Sequence, residues 1–215
     1  MAEEIGGRTG RLALGCVVGL VLVYVTAVLT VPGQWLDDEV FGLAQDLPFA
    51  PLRPILPTLG RRIVPAVGLA VVAGVGVWAL MVRRWMQVGR AVAVVVLGVA
   101  LARGLRVLLP RPDHGYSYDA NTLPSTHVAL VAACVVAVLI MWPTHRPGWL
   151  ALVGTALVWV ACVGSVFGYA HRPSDVVASV LLVGAVAGAV LAVPTRGVPE
   201  GTPVSTGPEG GRRIR

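Results

Sequence analysis

Six apolar stretches divide this chain: Leu12–Val31, Ile63–Val82, Ala91–Leu109, Ser125–Trp142, Trp149–Gly168 and Val176–Val193. A helix crosses the hydrocarbon of a bilayer with about 20 apolar residues. The fourth and sixth stretches fall slightly short of that, and the rest reach it. The expected fold is therefore all-α: a six-transmembrane-helix bundle with short inner links. Only 13% of residues are charged and mean hydropathy is +0.78, against about a quarter charged in soluble domains. One membrane domain, residues 11–195, takes up nearly the whole chain and leaves no room for a second. Residues 1–10 and 196–215 are rich in Gly, Pro, Glu and Arg, and are expected to be disordered cytoplasmic ends.

The net charge of +6 and pI of about 10.0 would suit a nucleic-acid binder, but the distribution argues against one. There is no Lys, and most arginines flank the spans. Arg8 and Arg11 precede the first. Arg83, Arg84 and Arg90 separate the second from the third. Arg146 follows the fourth, and Arg196, Arg212, Arg213 and Arg215 follow the sixth. With six spans these share one side, which the positive-inside rule makes cytoplasmic, so both termini lie inside. Asp37, Asp38, Glu39, Asp46, Asp113, Asp119 and Asp175 fall on the other side, while Arg53, Arg61 and Arg62 run against the trend. Abundant Ala, Val, Gly and Arg without Lys suggests a GC-rich bacterial genome, hence a plasma membrane. The first span exceeds a signal-peptide core and lacks a clear cleavage site, so it is expected to be retained. Cys16, Cys134 and Cys162 all lie in apolar runs and read as small buried residues, with no ligand cluster and no disulfide framework.

Between Pro32 and Arg62 lies an outer loop in which Trp35, Leu36, Val40, Phe41 and Leu43 could line one face of a short interfacial helix. Ala70 with Gly74, and Gly184 with Gly188, have small-xxx-small spacing that allows close helix packing.

The chemistry gathers in two outer segments. The first ends "ARGLRVLLPRPDHGYSYDANTLPSTH", and the second reads "YAHRPSD". Ser125 is a favoured N-cap, and a helix start offers free N–H groups and a favourable dipole to an anion such as phosphate. His127 would stand beside that anion. Asp175, in the first turn after Pro173, can reach back to His171, where a carboxylate on one ring nitrogen fixes the tautomer and raises the basicity of the other. Arg111 is a cation at a helix end. Each feature alone has a plain explanation: a capped helix, an interfacial anchor, a capping acid. Together they offer a nucleophile, an acid, a charge clamp and an orienting group, as phosphoryl transfer requires. His114 and His145 lack such company.

"RP", "PSTH" and "HRPSD", in this order and near these spacings, resemble the three signature segments of the type 2 phosphatidic acid phosphatase superfamily of integral-membrane lipid phosphatases. The family pattern runs Lys, six residues, Arg-Pro; then Pro-Ser-Gly-His; then Ser-Arg, five residues, His, three residues, Asp. The resemblance implies an outer-face active site in which His171 attacks phosphorus and becomes a phosphohistidine. Asp175 would hold its tautomer and His127 would protonate the leaving oxygen. Arg111, the Ser125 hydroxyl and the N–H groups of Ser125 and Thr126 would stabilise the transferring group. No metal and no cofactor are expected. The expected partners are a lipid phosphate or polyprenyl pyrophosphate and the bilayer.

Three departures stand out. Thr126 replaces the family Gly, the family Lys falls on Gly104, and the family Ser-Arg falls on Gly164 and Ser165. Arg103, one residue from the Lys position and about 100° round the helix, is a candidate substitute; Arg61, Arg62 and Arg172 are others. The missing cations favour the alternative of a non-catalytic lipid-phosphate binding or transport protein of the same fold. The pair of His with an Asp favours an enzyme, since binding alone needs no oriented nucleophile. A proton-coupled transporter would want ionisable groups at mid-membrane. Only Arg103 and Arg106 approach that depth, without an acidic partner.

Overall fold

A computed structural model describes residues 2–47, 52–116, 121–142 and 147–193; the tail from 194 onward and His145 lie outside the described residues. Among these residues there are helices and no strands. Helix α1 (Ala2–Val23) runs on through a π turn, Tyr24–Val28, so it already includes residues expected to precede the membrane domain. Helix α2 (Val31–Asp46) follows. A short α3 (Ile55–Thr58) continues through a second π turn, Leu59–Ile63, into α4 (Val64–Met81). Then come α5 (Trp85–Leu108), α6 (Thr126–Met141), α7 (Gly148–Phe167) and α8 (Pro173–Ala192).

Five continuous segments are long and apolar enough to cross a membrane: Gly6–Val28, Ile55–Met81, Trp85–Leu108, Gly148–Phe167 and Pro173–Ala192. The expected fourth span is α6, which has only 16 residues and rises about 24 Å, less than the roughly 30 Å of hydrocarbon. Its surroundings explain this. α6 packs against α4, α5, α7 and α8, and Ala129, Ala133 and Ala137 are fully buried along it. A helix lined by other helices need not match the bilayer, and its N-terminus can end inside the protein: Ser125 is 0% exposed. α1 is the opposite case, an outer helix resting mainly on α8.

That α1–α8 contact depends on Gly184 and Gly188. A Cβ at Gly188 would stand 2.8 Å from the Thr9 carbonyl oxygen, and one at Gly184 would stand 2.8 Å from Cys16 Sγ. The other small pair, Ala70 and Gly74, faces outward, and a Cβ at Gly74 would meet nothing within 4 Å.

At the end of the bundle away from Ser125, arginines close helix C-termini. Arg84 donates to the carbonyls of Met141 and Trp142 at 3.1 and 2.8 Å, and Arg90 donates to the Val193 carbonyl at 2.6 Å. The last carbonyls of a helix lack intrahelical donors, and a cation also suits the negative end of the dipole.

α2 turns its polar side inward. Gln34, Asp37 and Gln45 are buried, while Trp35, Leu36, Val40 and Leu43 are exposed. The Gln34 amide donates to the carbonyls of Val28 and Pro112, both at 2.7 Å, and the Gln45 amide donates to the Val166 carbonyl at 2.7 Å. The apolar face anticipated from the sequence exists, less Phe41, and it points away from the protein. That suits a helix lying at a membrane interface.

Candidate active site

The site lies where the N-termini of α6 and α8 meet. The Ser125 N–H donates to the Asp175 carbonyl at 3.3 Å. The Ser179 hydroxyl lies 2.7 Å from that same carbonyl and 3.0 Å from the Ser125 carbonyl. These bonds tie the two helix starts together, and they alter one expectation. The Ser125 N–H is committed to protein, so the helix N–H groups left without intrahelical acceptors are those of Thr126 and His127. The Ser125 hydroxyl serves as N-cap and accepts from the Val128 N–H at 3.5 Å.

Asp175 is the centre of the cluster and is fully buried. Its Oδ1 accepts from Arg111 Nη1 at 3.2 Å. Its Oδ2 accepts from the Thr122 hydroxyl at 2.6 Å and from the Arg172 N–H at 3.0 Å, the latter closing a capping box at the start of α8. His171 Nδ1 stands 3.5 Å from the same Oδ2, longer than the 3 Å of a strong hydrogen bond. The carboxylate therefore faces His171 and fixes Arg111 at the same time. Arg111 is completed by the Thr122 hydroxyl at 2.9 Å and by Asp37 Oδ2 at 3.5 Å, and its side chain is fully buried.

Asp37 carries no role in the sequence reading. It reaches in from α2, where its carboxylate accepts from the Ser174 N–H at 2.9 Å and hydroxyl at 2.7 Å. Burial raises its pKa, the Ser174 bonds lower it, the Asp175 charge raises it and the Arg111 charge lowers it; the net direction is up. Its neighbour Asp38 pairs with Arg172, whose guanidinium also lies 4.7 Å from the centre of the Phe41 ring. Arg172 is thus held in a surface contact between α2 and α8. Thr122, Ser174 and Asp37 give little sequence signal, since a lone Asp in an acidic run announces no partner 137 residues away.

His127 lies on the first turn of α6, and the charges of Arg61, His171 and Arg106 all act on it. Its Nδ1, His171 Nδ1 and Ser165 Oγ are buried without hydrogen-bond partners. Arg103 is exposed on α5, and among the described residues no contact joins it to this cluster. Arg106, one turn along, does approach: it donates to the Asn121 carbonyl at 3.3 Å. At the position of the family Lys, Gly104 has open space around it. His114 lies apart, 3.3 Å from the Leu29 carbonyl. Among the described residues no group of His, Cys, Asp and Glu could hold a metal ion.

Fold and cluster define an all-helical protein, rich in helices of membrane-spanning length, with a buried His–Asp–Arg site between two helix N-termini. Residues 107–198 match the family model of the PAP2 superfamily, and this match supports the resemblance to the type 2 phosphatidic acid phosphatase superfamily. The match points to phosphatase-type chemistry on phosphate esters. No curated protein and no solved structure matches the chain. The matched segment takes in Arg111, Ser125, Thr126, His127, His171 and Asp175, and leaves out Asp37, Arg61 and Arg103.

Proposed function

We propose that the protein is an integral-membrane phosphatase that hydrolyses a lipid phosphate or pyrophosphate at the outer face of a six-span bundle. The observation that carries this reading is the buried Asp175, set between the His171 imidazole and the Arg111 guanidinium. With Asp175 on the Nδ1 side, the other ring nitrogen of His171 is the nucleophile. It attacks phosphorus, and the bond from phosphorus to the leaving oxygen breaks as the phosphohistidine forms. His127 gives its proton to that oxygen and then takes one from water. The water attacks the phosphohistidine, releases phosphate and restores His171. Arg111 and the N–H groups of Thr126 and His127 stabilise charge on the three non-bridging oxygens.

The unpartnered buried Nδ1 of His127 supports the reading, because buried polar atoms are normally satisfied and a bound phosphoryl group or its leaving oxygen would satisfy this one. The test is phosphate release by the purified chain from polyprenyl pyrophosphate, polyprenyl phosphate, phosphatidate and phosphatidylglycerol phosphate, with chelator present. Turnover of any of these that His171→Ala abolishes is the expected result. Phosphate binding without turnover, unaltered by His171→Ala, would instead identify a non-catalytic binder.

A further inference from the structure

The second membrane-length segment approaches the site through its π turn. Gly60 of that turn and Gly164 of α7 are in backbone contact. A Cβ on Gly60 would stand 2.6 Å from the Val160 carbonyl oxygen, and a Cβ on Gly164 would stand 2.4 Å from the Leu56 carbonyl oxygen and 2.9 Å from Gly60 Cα. Only glycine on both sides permits this approach. It holds the π turn that carries Arg61, the next residue, against α7. A π turn adds a residue to the helical register and re-aims side chains, and such turns recur at functional sites. Here Arg61 turns inward and is half-buried, while Arg62 is exposed. Arg61 Nε is buried without a hydrogen-bond partner, and the Arg61 charge acts on His127. Among the described residues no carboxylate pairs with it. A buried donor left empty is costly unless an acceptor completes it.

Position 165 is where the family pattern carries its third cation. Here Ser165 is fully buried and its hydroxyl has no partner. An arginine is therefore absent from α7 and present on the turn that touches α7 at the adjoining residue.

We propose that Arg61 is a phosphate ligand of the site and takes over the function of the cation missing at position 165. Its guanidinium donates to non-bridging phosphate oxygens from the His127 side, while Arg111 approaches from the Asp175 side. Ser165 leaves the space and Gly60 with Gly164 set the distance. This rests on the reading of the cluster as a phosphate site and does not require turnover.

The experiment measures binding of inorganic phosphate and orthovanadate to the detergent-solubilised full chain, with melting temperatures in the absence of ligand. Arg61→Gln weakens phosphate binding roughly 10- to 100-fold, the range for losing a charge-assisted hydrogen bond. Its ligand-free melting temperature stays at or above wild type, because an unsatisfied buried donor has been removed. A purely structural arginine would lower it. Arg62→Gln binds within about twofold of wild type. Arg61→Lys keeps the charge but loses the planar fork and weakens binding at least several-fold, which decides the matter if Arg61→Gln does not fold. Wild-type affinity in Arg61→Gln or Arg61→Lys, or no phosphate binding by wild type, overturns the proposal. Phosphate binding that depends on Arg61, with no turnover of any lipid, overturns the phosphatase reading and leaves this one standing.

Discussion

Asp175 accepts from three donors and faces a fourth group, so its loss has more than one consequence. In the proposed mechanism His171→Ala removes the covalent route, and turnover should fall by up to about 10⁶-fold. Phosphate affinity should change little, since Arg111 and the start of α6 remain. Asp175→Asn should cost roughly 10²- to 10⁴-fold in turnover through the wrong tautomer. It should also weaken phosphate binding, because the same carboxylate fixes Arg111. Phosphate release and phosphate binding measured on both variants check this, and equal affinities in the two would show that Asp175 does not position Arg111. Asp37 permits a prediction about stability. Its pKa in the folded protein is raised, so its contribution to stability is fully present below its unfolded pKa of 3.8 and is lost as pH rises through the folded value. Melting temperatures of wild type and Asp37→Asn should therefore show wild type at its greatest relative advantage near pH 4, losing ground toward neutrality. A gap that widened in favour of wild type with rising pH would mean that the Arg111 attraction outweighs burial. The residues within each short motif could be read together, as His171 and Asp175 are only four residues apart. Asp37 and Thr122 could not, because they join the cluster only through tertiary contacts. Arg103 stands next to the family Lys position in the sequence, but which face of α5 meets the site is set by how α5 packs on α6.

At the scale of elements, glycines decide which helices touch. Gly164→Ala would drive a methyl into the Leu56 carbonyl and the Gly60 backbone, and neither can yield as a flexible side chain would. The expected loss is about 1–3 kcal/mol, the usual range for overpacking, with weakened phosphate binding if Arg61 is displaced. Gly74→Ala, on an exposed helical face with nothing within 4 Å, should be stabilising by up to about 1 kcal/mol from helix propensity alone. Thermal unfolding in detergent of the two variants makes the comparison, and a neutral Gly164→Ala would contradict the backbone contact. The two small-residue pairs, Ala70 with Gly74 and Gly184 with Gly188, have the same spacing, yet of the two only Gly184 and Gly188 meet another helix. Spacing shows that a face is smooth, and the path of the chain determines what lies against it. The same limit applies to α2. Its apolar residues could be read from the sequence, but the polar residues bridging to Val28, Pro112 and Val166 could not, so its inward face was not visible.

For the whole molecule the open question is which end of the bundle faces out. The arginines gave the sequence argument, and two of them now have local duties: Arg84 and Arg90 bond carbonyls at or near the ends of α6 and α8. A cation that closes a helix need not report topology, so the orientation rests on Arg8, Arg11, Arg83 and Arg146 as well as on the tail. α6 provides a direct measurement. Gly115 lies in the α5–α6 connection, before the N-terminus of α6, whereas Gly148 opens α7 beyond the C-terminus of α6. If α6 spans, these two glycines are on opposite sides of the membrane. Gly115 lies at a positive φ of 96°, so Gly115→Cys carries some strain, but its neighbourhood is open and the loop can relax. The native thiols are first replaced by Ser or Ala: Cys134 is buried and Cys16 and Cys162 are partly buried. In intact cells an impermeant thiol reagent should then label Gly115→Cys and leave Gly148→Cys unmodified until the membrane is opened. The reverse pattern would put the Asp175 cluster on the cytoplasmic side, with the chemistry unchanged and the substrate taken from the other leaflet. Labelling of both in intact cells would mean that α6, with its 16 residues, does not separate the two compartments, and the six-span bundle would fall with it.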